Sequence, residues 1–314
     1  MMIFGTPVSW FITEILSMVL LFVCMAHMAK QENPELKIFE FIAFIILAGS
    51  FENIGVYCED YIYDTHRILM FGKVPISILI IEASIFYMSF GLTEYLNMPV
   101  WAKPVVVGLF SSVQDITIDA SYVNDTHLFD GVLSGQWNWK YRYDGGIAGV
   151  PYHNFSGWFT MMMFFAIAIL LGRWLYRKHN RNRIIGYLYP FGASLLALLL
   201  IISPINVFLI NSTPIFPMNQ EIPGLVMLIL KYAAGVAILI IYRNRLKPVN
   251  IEKDWLYLVL PMVLHVYDLI YAFAAGITIA YAPCIIVTAI HGIYLWIVYK
   301  KSLAISEAGR IGTA

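Results

Sequence analysis

Apolar residues gather in nine long runs, about 8–29, 38–57, 75–95, 102–122, 155–176, 184–210, 222–243, 255–274 and 277–299. A helix of ~20 apolar residues spans the hydrocarbon core of a bilayer, and each run is near that length. The last two are separated only by a turn near Gly276. The pattern predicts an all-α, polytopic integral membrane helical bundle: a single transmembrane domain over 1–301 and a flexible tail over 302–314. One polar stretch is long, 123–154, between the fourth and fifth runs, and rich in Asp, Asn, Gly, Trp and Tyr. Loops of this length without periodicity are uncommon unless they serve a site.

Composition sharpens this picture. Hydrophobic residues make up 60% of the 314 positions and charged residues 13%, with a mean hydropathy of +0.73. A soluble domain carries about twice that charged fraction. The formal net charge is zero, so no nucleic-acid partner is expected; membrane lipid is. Cys24, Cys58 and Cys284 fit no metal or redox spacing and read as packing residues. The N-terminus lacks a basic region and its first apolar run is long enough to span, so no cleavable signal is expected.

Lys and Arg set an orientation. Arg173, Arg177, Lys178, Arg181 and Arg183 follow the fifth run, Arg243, Arg245, Lys247 and Lys253 the seventh, and Lys300 and Lys301 the ninth. Alternation places the C-terminus in the cytoplasm and the N-terminus outside. Arg67, Lys73, Lys140 and Arg142 break the rule, and Glu59, Asp60, Asp64 and Asp144 are their expected local partners.

Ionisable residues inside spans ordinarily face the bundle interior. At about 1.5 Å per helical residue, Glu14, Glu52, Glu82 and Asp115 all lie roughly 8–10 Å below the outer helix ends, with Asp119 roughly 5 Å below. Four spans therefore carry a carboxyl at one level, either around a common site or as separate interhelical contacts. Asp115 and Asp119 are four apart and share a helix face. Two carboxyls together in a low-dielectric site resist joint ionisation, so one is expected to keep a proton, as a general acid requires. Lys231, His265, Asp268 and His291 form a deeper set, in which Lys231 and Asp268 are expected to form an ion pair. The scattered histidines lack the clustering of a membrane di-iron site. No nucleotide or flavin motif appears, and neither a redox cofactor nor a bound metal is expected.

Two outer connections echo each other. Tyr61-Ile62-Tyr63-Asp64 and then Gly72-Lys73-Val74-Pro75 correspond to Tyr141-Arg142-Tyr143-Asp144 and then Gly149-Val150-Pro151. The joint repetition predicts an internal duplication in the N-terminal half, with two units facing one site.

Asp115-Ile116-Thr117-Ile118-Asp119 is followed by Gly135-Gln136-Trp137-Asn138-Trp139 and by Gly149-Val150-Pro151-Tyr152-His153-Asn154-Phe155-Ser156-Gly157-Trp158. In these motifs and their order the chain resembles the membrane carotenoid biosynthesis family, of the carotenoid 1,2-hydratase or bisanhydrobacterioruberin hydratase type. Phe51-Glu52-Asn53-Ile54-Gly55, Tyr61, Tyr63 and Gly72 to Pro75 match earlier elements of the family more loosely, and the resemblance spans roughly 45–175. Cys58-Glu59-Asp60, Ala120 and Glu82 depart from it, Glu82 standing where the family tends to have Trp. D-x-x-x-D alone also resembles the first motif of UbiA-type prenyltransferases, where paired Asp residues hold Mg²⁺ and diphosphate; a matching second motif is missing.

The carotenoid resemblance implies a lipophilic carotenoid substrate with a linear end group and a 1,2 double bond. Protonation at C2 makes a tertiary cation at C1, to which water adds. Asp115 or Asp119 is then the acid, and Glu52 positions the water or takes its proton. Tyr61, Tyr63, Trp137, Trp139, Tyr141, Tyr143 and Trp158 line the end-group pocket, or alternatively form an interfacial aromatic belt. Asn154 orients a carboxyl or water, and Glu82 is a further substrate contact. Mg²⁺-dependent prenyl transfer, and a non-enzymatic transport or binding protein using the carboxyl layer, are the competing functions.

Overall fold

The computed structural model describes residues 1–311 apart from 59, 140–145, 212–220 and 248. Helices form on the apolar runs: α1 (Val8–Met28), α2 (Pro34–Tyr57), α3 (Ile76–Thr93), α4 (Lys103–Tyr122), α5 (Tyr152–Lys178), α6 (Arg183–Ile201), α7 (Pro204–Asn211), α8 (Glu221–Tyr242), α9 (Ile251–Asp254), α10 (Leu256–Ala274) and α11 (Thr278–Ile311). Eight of them, all but α4, α7 and α9, are long and apolar enough to cross a membrane. Large apolar side chains such as Phe22, Leu188, Leu195, Ile240 and Ile290 stand exposed around the outside. So much contiguous apolar surface is the mark of lipid contact, and the chain is an all-α polytopic membrane bundle.

The remaining expected span, α4, carries Gln114, Asp115 and Asp119 and is buried along nearly its whole length. It is sheathed by α3, α5, α8, α10 and α11. A helix that meets only protein needs no lipid-facing stripe, which is why α4 can be the polar axis of the bundle.

Two boundaries differ from the sequence reading. The sixth run is not one helix: it stops at Ile201 and resumes as α7 at Pro204. Proline has no N–H to continue the ladder, and the freed carbonyls must be satisfied locally. Ser203 Oγ donates to Leu200 O at 2.6 Å, and Asn206 Nδ2 to Ile201 O at 2.8 Å. At the other end, α11 continues to Ile311, through residues read from the sequence as the tail.

Short hairpins cap one end of the bundle, where α2 and α4 finish and α1, α3 and α5 begin. They pair β1 (Met2–Ile3) with β2 (Thr6–Pro7), β4 (Met70–Phe71) with β5 (Val74–Pro75), and β6 (His127–Phe129) with β7 (Val132–Ser134). A further sheet joins β3 (Tyr61–Tyr63) to β8 (Trp137–Trp139) across the long loop. The Gly-Val-Pro echo becomes a defined unit, a two-residue turn with glycine at positive φ (Gly72 +64°, Gly149 +80°) and then a proline that caps the next helix. Such turns match the strand twist only with φ above zero, hence the glycine. The unit occurs a third time at the N-terminus, where Phe4-Gly5 turns into Pro7 and α1. The second Tyr-x-Tyr-Asp lies outside the described residues.

Equal depth does not bring two of the expected partners together. Lys231 Nζ donates to the carbonyl and to Oγ of Ser156, both at 2.8 Å, whereas Asp268 accepts from Thr117 Oγ1 at 2.7 Å. The expected Lys231–Asp268 ion pair is therefore absent. The reason is azimuth: α8 packs on α4, α5 and α7, α10 packs on α3, α4 and α11, and α4 lies between them. Lys231→Met and Asp268→Leu should then destabilise additively, within about 0.5 kcal/mol, in detergent unfolding. A larger coupling energy would contradict the separation.

Glu14 likewise turns away from the other carboxyls. Arg67 Nη1 lies 3.4 Å from its Oε1, with both side chains buried. Arg67 also donates to Gln136 Oε1 at 2.8 Å and lies 4.9 Å from the Trp10 ring. The exception to the charge rule is thus an internal cation, paired with a helix carboxyl rather than with its acidic loop neighbours. Lys73 rests 4.5 Å over the Tyr57 ring.

Candidate functional site

Strand geometry explains the spacing of the aromatic motifs. β3 and β8 are antiparallel, with Tyr61 opposite Trp139 and Tyr63 opposite Trp137. Side chains alternate along a strand, so all four rings fall on one face while Ile62 is exposed on the other. The rings pack as a lid, Tyr61 on Trp139 at 4.9 Å and Tyr63 on Trp137 at 5.7 Å. Under the lid Tyr61 and Tyr63 donate to the same oxygen of Glu52, Oε2, at 2.6 and 2.7 Å. Burial, and then the neighbouring Glu52 charge, push both phenols above their usual range, so both remain O–H donors. Gly55 makes this approach possible: a Cβ there would meet the Tyr61 hydroxyl at 2.6 Å.

The lid closes a cavity of about 480 Å³. Its deep wall brings together Glu52 of α2, Glu82 of α3, and Asp115 and Asp119 of α4. Asn154, in the first turn of α5, spans the aspartate pair, its Nδ2 donating to Asp115 Oδ2 at 2.9 Å and to Asp119 Oδ2 at 2.7 Å. Asp115 and Asp119 are neighbours in this wall, as are Glu52 and Glu82, each close enough to feel the other's charge. Neighbouring carboxyls in a low-dielectric site resist joint ionisation. Among the described residues no Lys or Arg lines the cavity, so protons are what the described wall offers to hold the acids together. Several polar atoms here have no protein partner: both Glu82 oxygens, Asp115 Oδ1, Trp139 Nε1 and Asn206 Oδ1. Buried groups of this kind are ordinarily satisfied by water or ligand. A pocket of this size with a few convergent polar groups in an apolar wall has the form of a small-molecule site.

No protein-family model, curated protein or solved structure matches this chain. The site is therefore read from its own residues. Of those singled out in the sequence, Glu52, Glu82, Asp115, Asp119, Tyr61, Tyr63, Trp137, Trp139, Asn154 and Trp158 all line this one cavity. Tyr141 and Tyr143 lie outside the described residues.

Two polar lining residues, His153 and Asn206, were given no role in the sequence reading. His153 packs edge-on against Trp139 at 5.8 Å. Asn206 caps the α6–α7 break with its amide N–H, lines the cavity, and leaves its oxygen buried without a protein partner. Its only sequence signal is Ser203-Pro204 inside an apolar run, which marks a helix break but not which face the break presents.

Proposed function

We propose that this chain is a carotenoid hydratase of the membrane carotenoid biosynthesis type, adding water to the terminal 1,2 double bond of a linear end group. The observation that carries the reading is the convergence of four carboxyls, bridged in part by Asn154, under a roof of aromatic rings in one cavity. The three motifs that resemble the family supply separate walls of that cavity, which supports treating them as one machine.

The chemistry follows from the contacts. The Asp115–Asp119 pair delivers its proton to C2 of the end group, and the C1–C2 π electrons form the new C–H bond. The cation left at C1 lies against the faces of the Tyr and Trp rings, which stabilise positive charge. A water molecule bonds to C1, and Glu52, held by Tyr61 and Tyr63, takes the proton that water loses. Transfer across the Glu52–Glu82 contact toward the aspartates restores the acid. One water is consumed and no net proton is exchanged. A positioned acid and base of this kind each contribute about 10²–10⁴ in rate.

Charge distribution supports a cell-membrane protein with the N-terminus outside and the C-terminus in the cytoplasm, with the capped end and cavity toward the outer face. A single cysteine at exposed Asp130 should react with impermeant maleimide from outside intact cells; reaction only after lysis would reverse the orientation. The activity is tested by expressing the chain in lycopene-producing cells. A more polar carotenoid, heavier by one water and formed equally in the presence of EDTA, is expected. Unchanged lycopene would overturn the reading, and an EDTA-sensitive prenylated product would replace it with prenyl transfer.

A further inference from the structure

The way into this cavity is written in which of its lining residues also reach the outside of the protein. Toward the aqueous end it is roofed by the β3–β8 lid, where Tyr61, Tyr63 and Trp137 are buried. Among the described residues, its exposed lining side chains lie elsewhere. Ile54 and Cys58, on the last turn of α2 and just beyond it, are exposed, as is Ile202 at the α6–α7 break, with fractional exposures of 38% for Ile54 and 56% for Ile202. The exposed side chains of this gap are two isoleucines and a thiol, with half-buried Asp60 lining the cavity beside Cys58.

The gap has a structural cause. Farther from the cap, α2 and α6 are tied together: Ser194 Oγ donates to Ala43 O at 2.6 Å, and Glu40 accepts from Tyr189. Toward the cap α6 ends at Ile201, because Pro204 interrupts it, and the chain continues as α7, which packs chiefly on α5, α6 and α8 rather than against Ile54 and Cys58 of the α2 end. A break that merely redirected the chain would not require a polar side chain at the cavity. Here Asn206 seals the backbone, lines the cavity and leaves Oδ1 without a protein partner.

The cavity lies within the range of about 300–1,000 Å³ that encloses a small ligand. A carotenoid-length polyene, comparable with the ~30 Å hydrocarbon core, cannot be enclosed in it. The carboxyls that line it are buried whereas the lining side chains of the gap are exposed, so a ligand with one reactive end and a long inert tail fits this polarity. We infer that a linear isoprenoid enters sideways from the bilayer through the gap between α2 and the α6–α7 break, placing one end group at the carboxyls while the rest of its chain stays in lipid. The route rests on the hydratase reading only for the reaction at the end group. A symmetrical carotenoid is then processed one end per binding event, with the half-hydrated molecule released between them.

The exposed cysteine reports on the gap directly, since Cys24 and Cys284 are buried. The protein is reconstituted in phosphatidylcholine vesicles with or without lycopene, and Cys58 alkylation by N-ethylmaleimide is followed by intact mass. Lycopene should slow alkylation several-fold. Ile202→Trp, which fills the gap from the far side, should remove most of that protection, whereas Ile240→Trp, on a lipid-facing site of α8, should leave it intact. Protection without any hydrated product keeps the portal and removes the hydratase reading. Equal alkylation with and without lycopene, even in protein that hydrates lycopene, overturns the portal and leaves the hydratase reading standing.

Discussion

Asn at position 115 or 119 should lower hydration by about 10²–10⁴-fold, the contribution expected of a positioned general acid. The substitution keeps the size and hydrogen-bonding capacity of the carboxyl and removes the proton it carries. Asn154 already meets both aspartates through one amide nitrogen, so an amide at either position still has an oxygen to offer it, and the fold should persist. The measurement is product formation by purified protein, beside lycopene protection of Cys58 as the readout of binding. Lost turnover with retained protection is the expected combination. Full activity in both single variants would remove the aspartates from the chemistry.

The largest effect on stability is expected at Arg67. It is buried against Glu14 and holds Gln136, the residue before the Trp137 strand. Removing one partner of a buried pair leaves an uncompensated charge and costs about 3–5 kcal/mol. Arg67→Met should therefore lose most of its folded yield in detergent, while Arg67→Met with Glu14→Leu should recover much of it. A single variant as stable as wild type, or a double variant no better than the single, would show that the pair does not matter.

Glu14 and Glu82 show why depth along a helix locates a site only in part. Both lie the same distance beyond the proline of a Gly-x-Pro or Gly-x-Val-Pro hairpin, in two copies of one unit. Rise per residue places both at one level, and that much was legible. Glu14 meets an arginine from a different loop, whereas Glu82 meets Glu52 and an open cavity. Which neighbour rotates toward a given helix face depends on packing order, and one chain read alone does not contain that order. Lys231 and Asp268 failed as partners for the same reason, with the whole of α4 between them.

The aromatic motifs were legible as spacings but not as a pairing. Y-x-Y and W-x-W each place two rings on one face of a strand, which follows from the period of two. The sequence echo suggested that Tyr61 and Tyr63 match Tyr141 and Tyr143. The echo named no strand partner for either, and in the structure Tyr61 pairs with Trp139 and Tyr63 with Trp137. Strand pairing is a long-range choice set by which edges meet, and internal similarity does not determine it. The break at Ser203-Pro204 was hidden differently: the apolar run continues across it, and hydropathy averages over a single proline.

The central claim is that the carboxyl cavity protonates C2 and adds water at C1. It is tested most directly by letting the purified protein turn over lycopene in D₂O and locating the label in the product by NMR. The account predicts one solvent deuterium at C2 beside a new hydroxyl at C1, with both lost in the Asp115→Asn, Asp119→Asn double variant. A hydroxylated product with no deuterium at C2, or label incorporation undiminished in that double variant, would contradict it.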